Sequence, residues 1–160
     1  MNLKKLGSVV SLILLTGAVS YVFWRIHSLH GEGPSIGKAV PDFQLTDTDG
    51  QTISSGSLRG LKYALVIFRP DCGHCKDELS QLDALKGGSK PNLTIVAASV
   101  SDEKETKQFS DDSKFELRLF LNGASLARKL GVSTVPLLML IDEQGSIRYV
   151  QRGARDPRYQ

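Results

Sequence analysis

Two cysteines separated by two residues, between an apolar run and a helical pattern, constrain the fold of this chain most strongly. Cys72 and Cys75 are the only cysteines among the 160 residues. Residues 63–68 form an apolar run rich in β-branched and aromatic side chains, which is typical of a buried strand. Beyond the first cysteine, apolar residues recur at spacings of three or four, at Cys75, Leu79, Leu82 and Leu85. This pattern predicts an amphipathic helix that begins at the cysteine pair.

The spacing of the two cysteines suits reversible disulfide chemistry. Two intervening residues bring the sulfurs close enough, across the first turn of a helix, to form a small disulfide. Unpaired backbone N–H groups and the helix dipole favour an anion at this position, and a thiolate is such an anion. We therefore expect Cys72 to be the nucleophile and Cys75 to be the buried resolving thiol.

Other uses of such a pair need residues that this sequence lacks. Structural zinc takes four ligands, and the histidines outside the motif, His27 and His30, lie in a predicted linker. A c-type haem site needs histidine directly after the second cysteine, where this chain has Lys76. A permanent structural disulfide remains an alternative, although a four-residue loop stabilises a fold little. We predict a redox-active Cys72–Cys75 disulfide with no metal and no cofactor.

The N-terminal residues have the composition of a membrane anchor. Residues 6–24 carry no charge, and their 19 residues can cross a hydrocarbon core of about 30 Å as a helix. Tyr21 and Trp24 suit the membrane interface, and Lys4 and Lys5 favour an N-terminus on the cytoplasmic side. A cleaved signal peptide is the alternative, because residues 18–20 are small.

The predicted organisation follows from this anchor. We expect a cytoplasmic N-terminus (1–5), a single transmembrane helix (6–24), a flexible linker (25–37), a redox domain (38–153) and a polar tail (154–160). The redox domain would then lie on the periplasmic side of the inner membrane, in an oxidising compartment. The net charge of +3 comes from scattered residues, so nothing indicates a nucleic-acid partner.

Strand and helix patterns alternate through the redox domain. Strands are predicted over 40–46, 51–53, 63–68, 93–100, 115–120, 137–141 and 146–150. Helices are predicted over 57–60, from Cys72 to about 87, over 102–109 and over 125–130. This order implies an α/β sheet with helices on both faces.

Taken together, these features resemble the thioredoxin fold, and within it the membrane-tethered TlpA/ResA-type thiol-disulfide oxidoreductases of the AhpC/TSA–redoxin superfamily. The resemblance spans roughly residues 37–153, including an N-terminal β-hairpin extension. It depends on the Pro-Asp-Phe opening at 41–43, the Asp-Gly turn at 49–50, the dithiol motif, the segment 131–136 and the closing pattern 140–147.

The resemblance implies further site residues. It implies a cis peptide bond between Val135 and Pro136 that leaves the Val135 backbone free to pair with a substrate strand. It implies that Glu78, three residues after the second cysteine, relays a proton to or from the buried thiol; a solvated glutamate on the helix surface is the alternative. His74 would favour the Cys72 thiolate, and a histidine at this position is typical of protein disulfide isomerases.

Three departures accompany the resemblance. Val66 occupies the position of the buried acid of thioredoxin, and residues 69–71 replace the usual Trp-containing approach to the motif. The residues after Gly153 are too few and too polar for the C-terminal helix that normally completes such a domain.

The resemblance implies an extracytoplasmic enzyme that exchanges disulfides with protein thiol or disulfide substrates and with a membrane or periplasmic redox partner. Two alternatives have different signatures. An AhpC/TSA-like peroxidase would need proline seven residues and Thr or Ser three residues before its reactive cysteine, whereas Leu65 and Arg69 precede Cys72. A Sco-like copper chaperone would need a C-x-x-x-C motif and a distant histidine.

Overall fold

The computed structural model describes residues 14–25, 33–86 and 93–153, which belong to two separate compact units, Met1–Glu32 and Gly33–Gln160. In the first unit, residues 14–25 are helical and their side chains are exposed. Residues 6–13 of the predicted anchor and the predicted tail, 154–160, lie outside the described residues. Within the described ranges, no helix has the length and apolar content to span a bilayer.

The second unit is built on one mixed sheet of seven strands in the order β2-β1-β5-β4-β3-β6-β7. The strands are β1 (Gln44–Asp47), β2 (Thr52–Ser54), β3 (Tyr63–Phe68), β4 (Thr94–Ser99), β5 (Leu119–Leu121), β6 (Leu137–Ile141) and β7 (Ile147–Arg152). β4 pairs in parallel with β3 and β5, and every other neighbouring pair is antiparallel. The predicted α/β class, the N-terminal hairpin β1–β2 and the closing hairpin β6–β7 are confirmed.

Within residues 33–86 and 93–153, three α-helices and one short 3₁₀ helix connect the strands. They are α1 (Gly73–Lys86), α2 (Glu103–Ser113), α3 (Gly123–Lys129) and the 3₁₀ turn Gly56–Leu58. α1 buries Leu79 and Leu82 in one apolar cluster, whereas α3 buries Leu126 and Ala127 in another. The sheet therefore has helices on both faces, as predicted.

Strand β3 lies inside the sheet, between β4 and β6, and contributes side chains to both clusters. All six of its residues are buried. Because side chains alternate across a strand, Val66 and Phe68 join the α1 cluster, while Leu65 and Ile67 join the α3 cluster. A continuous apolar run is thus required here, and it places the residues after Phe68 at the end of a rigid central strand.

Helix α3 approaches the end of β4 very closely. A Cβ atom at Gly123 would lie 2.6 Å from the Ser99 carbonyl oxygen. Glycine at this position therefore permits the helix to pack directly on the strand.

The structure corrects the bounds of α2 and of the strand predicted over 115–120. α2 continues to Ser113 instead of ending at residue 109; the Asp102 carboxylate caps it by accepting a hydrogen bond from the Glu105 N–H (2.8 Å). The strand predicted over 115–120 is confined to β5, since the Leu117 N–H is bonded to the Asp83 carboxylate (2.9 Å) and not to a strand.

Two further observations concern the edges of the unit. Leu85 is 59% exposed and lies outside the cluster that contains Cys75, Leu79 and Leu82. The compact unit begins at Gly33, within the predicted linker. Pro34 is buried and its carbonyl accepts a hydrogen bond from Arg152, and the Gly37 N–H donates to the Ile147 carbonyl (2.8 Å).

Candidate active site

Cys72 occupies the N-cap position of α1. Its carbonyl accepts hydrogen bonds from the backbone N–H groups of Cys75 (3.1 Å) and Lys76 (3.2 Å), which begin the helix. The side chain of Cys72 is half-buried, and the first turn of α1 contains no acidic residue. The positive end of the helix dipole is therefore not neutralised by a carboxylate in this turn, and it favours an anion at the Cys72 sulfur.

Cys75 lies one turn inside the helix, on the face that packs on the sheet. It is fully buried, and both cysteines are free thiols. Burial raises the pKa of the Cys75 thiol to about 12, with a smaller contribution in the same direction from its hydrogen bond with Cys72. The pair therefore consists of one accessible sulfur and one buried thiol that stays protonated at neutral pH.

The segment between β3 and α1 is held by an ion pair. The Arg69 guanidinium contacts both carboxylate oxygens of Asp71, with Nε–Oδ1 and Nη2–Oδ2 distances of 2.9 and 2.6 Å. Pro70 between them is buried. On the other side of the motif, the Lys76 ammonium lies 5.8 Å from the centre of the Phe109 ring. These contacts lie on either side of Cys72, in a segment that lacks the usual tryptophan.

The Val135–Pro136 peptide bond is cis. Pro136 is buried, while Val135 is half-buried and packs, like Cys72, against the cluster that contains Cys75. Within residues 33–86 and 93–153, neither the N–H nor the carbonyl of Val135 has a hydrogen-bond partner. These backbone groups are therefore available to another chain, although a role in substrate binding stays a prediction.

The remaining two predicted residues lie in different environments. His74 is exposed. Glu78 is only 3% exposed, which excludes the alternative of a solvated glutamate on the helix surface. Its carboxylate accepts a hydrogen bond from the Gln151 side chain (Nε2–Oε2, 3.3 Å). The proton-relay role of Glu78 and the effect of His74 on Cys72 stay predictions.

Sequence reasoning missed Gln151 as a partner of this site. Gln151 and Glu78 are 73 positions apart in the sequence, so no local sequence pattern links them. The alternation of side chains along β7 was only a weak indication of which residues face the site, because every second residue of a strand lies on the same face.

The described ranges contain no group of three or more His, Cys, Asp or Glu residues placed to hold a metal ion.

Residues 36–150 match the AhpC/TSA family. The chain belongs to this family. It is 24% identical over 155 residues to the thioredoxin-like protein YneN of Bacillus subtilis, covering 94% of this chain and 91% of the relative. It is 27% identical over 150 residues to the thiol-disulfide oxidoreductase ResA of Bacillus cereus, covering 90% and 85%. It is also 27% identical over 171 residues to the thiol:disulfide interchange protein DsbE of Escherichia coli K12, covering 98% and 90%.

Solved structures show the same fold. The thioredoxin domain of a thiol-disulfide oxidoreductase from Bacteroides vulgatus superposes with a TM-score of 0.66 at 20% identity, covering 74% of this chain and 90% of that domain. StoA of Bacillus subtilis superposes with a TM-score of 0.63 at 20% identity, covering 75% and 93%. The fold is thioredoxin-like, and the chain is an oxidoreductase of the thiol-disulfide type, as its relatives are.

Proposed function

We propose that this chain exchanges disulfides with protein substrates through Cys72 and Cys75. The observation that carries the proposal is the difference between the two thiols at the start of α1. Cys72 is accessible at the positive end of the helix, whereas Cys75 is fully buried behind it. An attacking thiolate needs access to a substrate disulfide, and a resolving thiol has to reach only its neighbour.

The reaction follows from this arrangement. The Cys72 thiolate attacks one sulfur of a substrate disulfide, a mixed disulfide forms, and the other substrate sulfur leaves as a thiolate that takes up a proton. Cys75 then loses its proton and attacks the Cys72 sulfur. The Cys72–Cys75 disulfide forms, and the second substrate thiol is released. The substrate gains two electrons and the enzyme loses them; the reverse sequence oxidises a dithiol substrate.

The second step requires a base. Burial raises the pKa of the Cys75 thiol well above neutral pH, so this thiol has to lose a proton before it attacks. We propose that Glu78 accepts this proton. It lies one helical turn from Cys75 and, like Cys75, is buried, so the two side chains are on the same face of α1.

Two further residues have proposed roles. The unpaired backbone groups of Val135, at the cis bond to Pro136, would hold an extended substrate segment by strand-like hydrogen bonds. His74, which is exposed beside Cys72, would favour the thiolate and make the disulfide more oxidising.

The proposed setting is the periplasmic side of the inner membrane. Residues 6–24 would anchor the chain with residues 1–5 in the cytoplasm, a linker would lead to the redoxin domain that ends at 153, and 154–160 would be a polar tail. The uncharged composition of 6–24 and the interfacial aromatic residues Tyr21 and Trp24 support this arrangement. The redox partner would then be a membrane or periplasmic protein. Protease protection of a tagged C-terminus in spheroplasts would contradict this location.

A trapping experiment tests the assigned order of the cysteines. Cys75→Ser is expected to accumulate a mixed disulfide with a peptide disulfide, because the resolving thiol is absent, whereas Cys72→Ser forms none. Non-reducing gels and intact-mass measurement detect the adduct. Adducts at Cys75 in the Cys72→Ser variant, at a rate equal to that of Cys72, would refute the assignment. Equilibration of the wild-type protein with glutathione then gives the reduction potential, which determines the direction of the cycle.

A further inference from the structure

The buried carboxylate of Glu78 lies at the end of a short chain of side-chain hydrogen bonds. Gln151 donates from Nε2 to Glu78 Oε2 at 3.3 Å, and the Tyr149 hydroxyl donates to Gln151 Oε1 at 3.1 Å. Glu78 is 3% exposed and Tyr149 is 42% exposed. This series of hydrogen bonds therefore runs from Tyr149 at the surface of the unit to the Glu78 carboxylate in its interior.

The pairing of β6 with β7 puts these residues beneath α1. Gln151 is opposite Leu138, and Leu138 belongs to the buried cluster that contains Cys75. Tyr149 and Gln151 are two residues apart on β7, so their side chains share one face of the sheet. β7 lies two strands away from β3 in the sheet. Its polar side chains meet the buried face of α1.

The direction of each hydrogen bond defines what Gln151 presents to Glu78. A phenol donates and an amide oxygen accepts, so the contact with Tyr149 turns the amide oxygen outward. The amide NH₂ group is then directed at the carboxylate. An N–H donor stabilises the charged, proton-accepting form of a buried carboxylate and fixes its orientation.

We propose that Gln151 is a positioning residue for the second step of disulfide exchange and that Tyr149 holds its amide in the donating orientation. This proposal rests on the proposed role of Glu78 as the base for Cys75. The Gln151 hydrogen bond holds the Glu78 carboxylate in one orientation on the buried face of α1.

The other groups around Glu78 offer no replacement for this donor. Strand β3 contributes Ala64 and Val66 to the cluster beneath α1, and β6 contributes Leu138. None of these side chains titrates or donates. On α1 itself Cys75 is the buried titratable group nearest in sequence. Within the described residues, Gln151 is the only side chain with a hydrogen bond to the Glu78 carboxylate.

The test isolates the step in which Cys75 attacks. The reduced full-length protein is mixed with an excess of the disulfide of thionitrobenzoate, and released thionitrobenzoate is followed by stopped-flow absorbance. The first phase depends on reagent concentration and reports attack by Cys72. The second phase is intramolecular and reports attack by Cys75. Its rate is measured from acidic to neutral pH for the wild type and for Glu78→Gln, Gln151→Leu and Tyr149→Phe. Gln44→Leu, an exposed glutamine on β1, is the matched control.

The proposal makes a specific prediction for the second phase. Glu78→Gln slows the second phase, and its rate then rises with pH over the whole range, because without a base only ionised Cys75 attacks. Gln151→Leu slows the second phase about tenfold at acidic pH, because the carboxylate loses its donor. Tyr149→Phe slows it by less. Gln44→Leu does not change it, and the first phase is unchanged throughout.

The possible failures differ from one another. If Glu78→Gln retains the wild-type pH profile, the proposed role of Glu78 is wrong and Gln151 has no acid to position. If Glu78→Gln changes the pH profile while Gln151→Leu and Tyr149→Phe keep the wild-type profile, only the positioning role is overturned. Tyr149→Phe removes one oxygen from a partly exposed side chain, so this arm remains informative even if Gln151→Leu does not fold.

Discussion

Burial of the Cys75 thiol predicts that the reduced protein loses stability in alkaline solution. Burial, and then the hydrogen bond with Cys72, raises the pKa of this thiol from 9.0 to about 12. In the unfolded chain the thiol ionises near its ordinary pKa, so the unfolded state releases a proton that the folded state retains. This contribution to stability is present in full below about pH 9 and is lost as the pH rises towards 12. At about pH 10 the loss is about 1.4 kcal/mol, since this pH lies one unit above the pKa in the unfolded chain.

This loss in the free energy of unfolding is measured by urea unfolding of the reduced protein at about pH 7 and about pH 10. Cys75→Ala is the control variant. The variant lacks the thiol but keeps every other alkaline group, including Tyr63, whose pKa burial also raises to about 12. The wild-type free energy of unfolding minus that of Cys75→Ala is expected to fall by about 1.4 kcal/mol between the two pH values. The oxidised wild type, which has no thiol to titrate, lacks this loss. A difference that stays constant with pH would refute the conclusion that the buried thiol remains protonated, and with it the need for a base at Glu78.

Three other changes test the fold around the site. Leu79→Ala is expected to lower the free energy of unfolding by about 2–5 kcal/mol, because Leu79 is fully buried. Leu85→Ala, at an exposed position, is expected to lower it by less than about 0.5 kcal/mol. Equal losses in urea unfolding would contradict the packing of α1. Gly123→Ala places a Cβ 2.6 Å from the Ser99 carbonyl oxygen and is expected to cost about 1–3 kcal/mol; no change in the thermal midpoint would show that α3 moves away freely. Desolvation raises the pKa of Asp47, but an arginine ion pair and two backbone N–H groups outweigh it and hold this pKa below 3.8. Its contribution is present above about pH 4 and is lost as the pH falls further, so Asp47→Asn should flatten the acid limb of stability against pH.

The central strand and the dithiol were predictable because their signals are local. The apolar run of β3 meets apolar clusters on both faces of the sheet, so every position had to be apolar and the run is visible without any alignment. The helix after it follows from the spacing of Leu79 and Leu82. The same apolar spacing continues to Leu85, but this residue is exposed, so the spacing did not predict its burial.

The predictions from sequence failed where the backbone is bonded to residues far away in the chain instead of to its neighbours. The residues before Leu119 alternate like a strand, but the Leu117 N–H is bonded to Asp83 of α1, so β5 is short. β1 pairs with β5 as well as with its hairpin partner β2. No pattern in either segment indicates that pairing, because it joins residues far apart in the chain.

The sequence by itself determined the Cys72–Cys75 pair, its place after a buried strand, and the helix that leaves Cys72 half-buried and buries Cys75. These depend on residues close together in the chain, where spacing alone sets geometry. Only the tertiary structure decided the surroundings of Glu78. The sequence permitted either a solvated or a buried acid three residues after Cys75, and the packing of α1 over β7 buried it beside Gln151. A buried carboxylate needs a donor, and this donor comes from a strand 73 residues away, which only folding brings into contact with it.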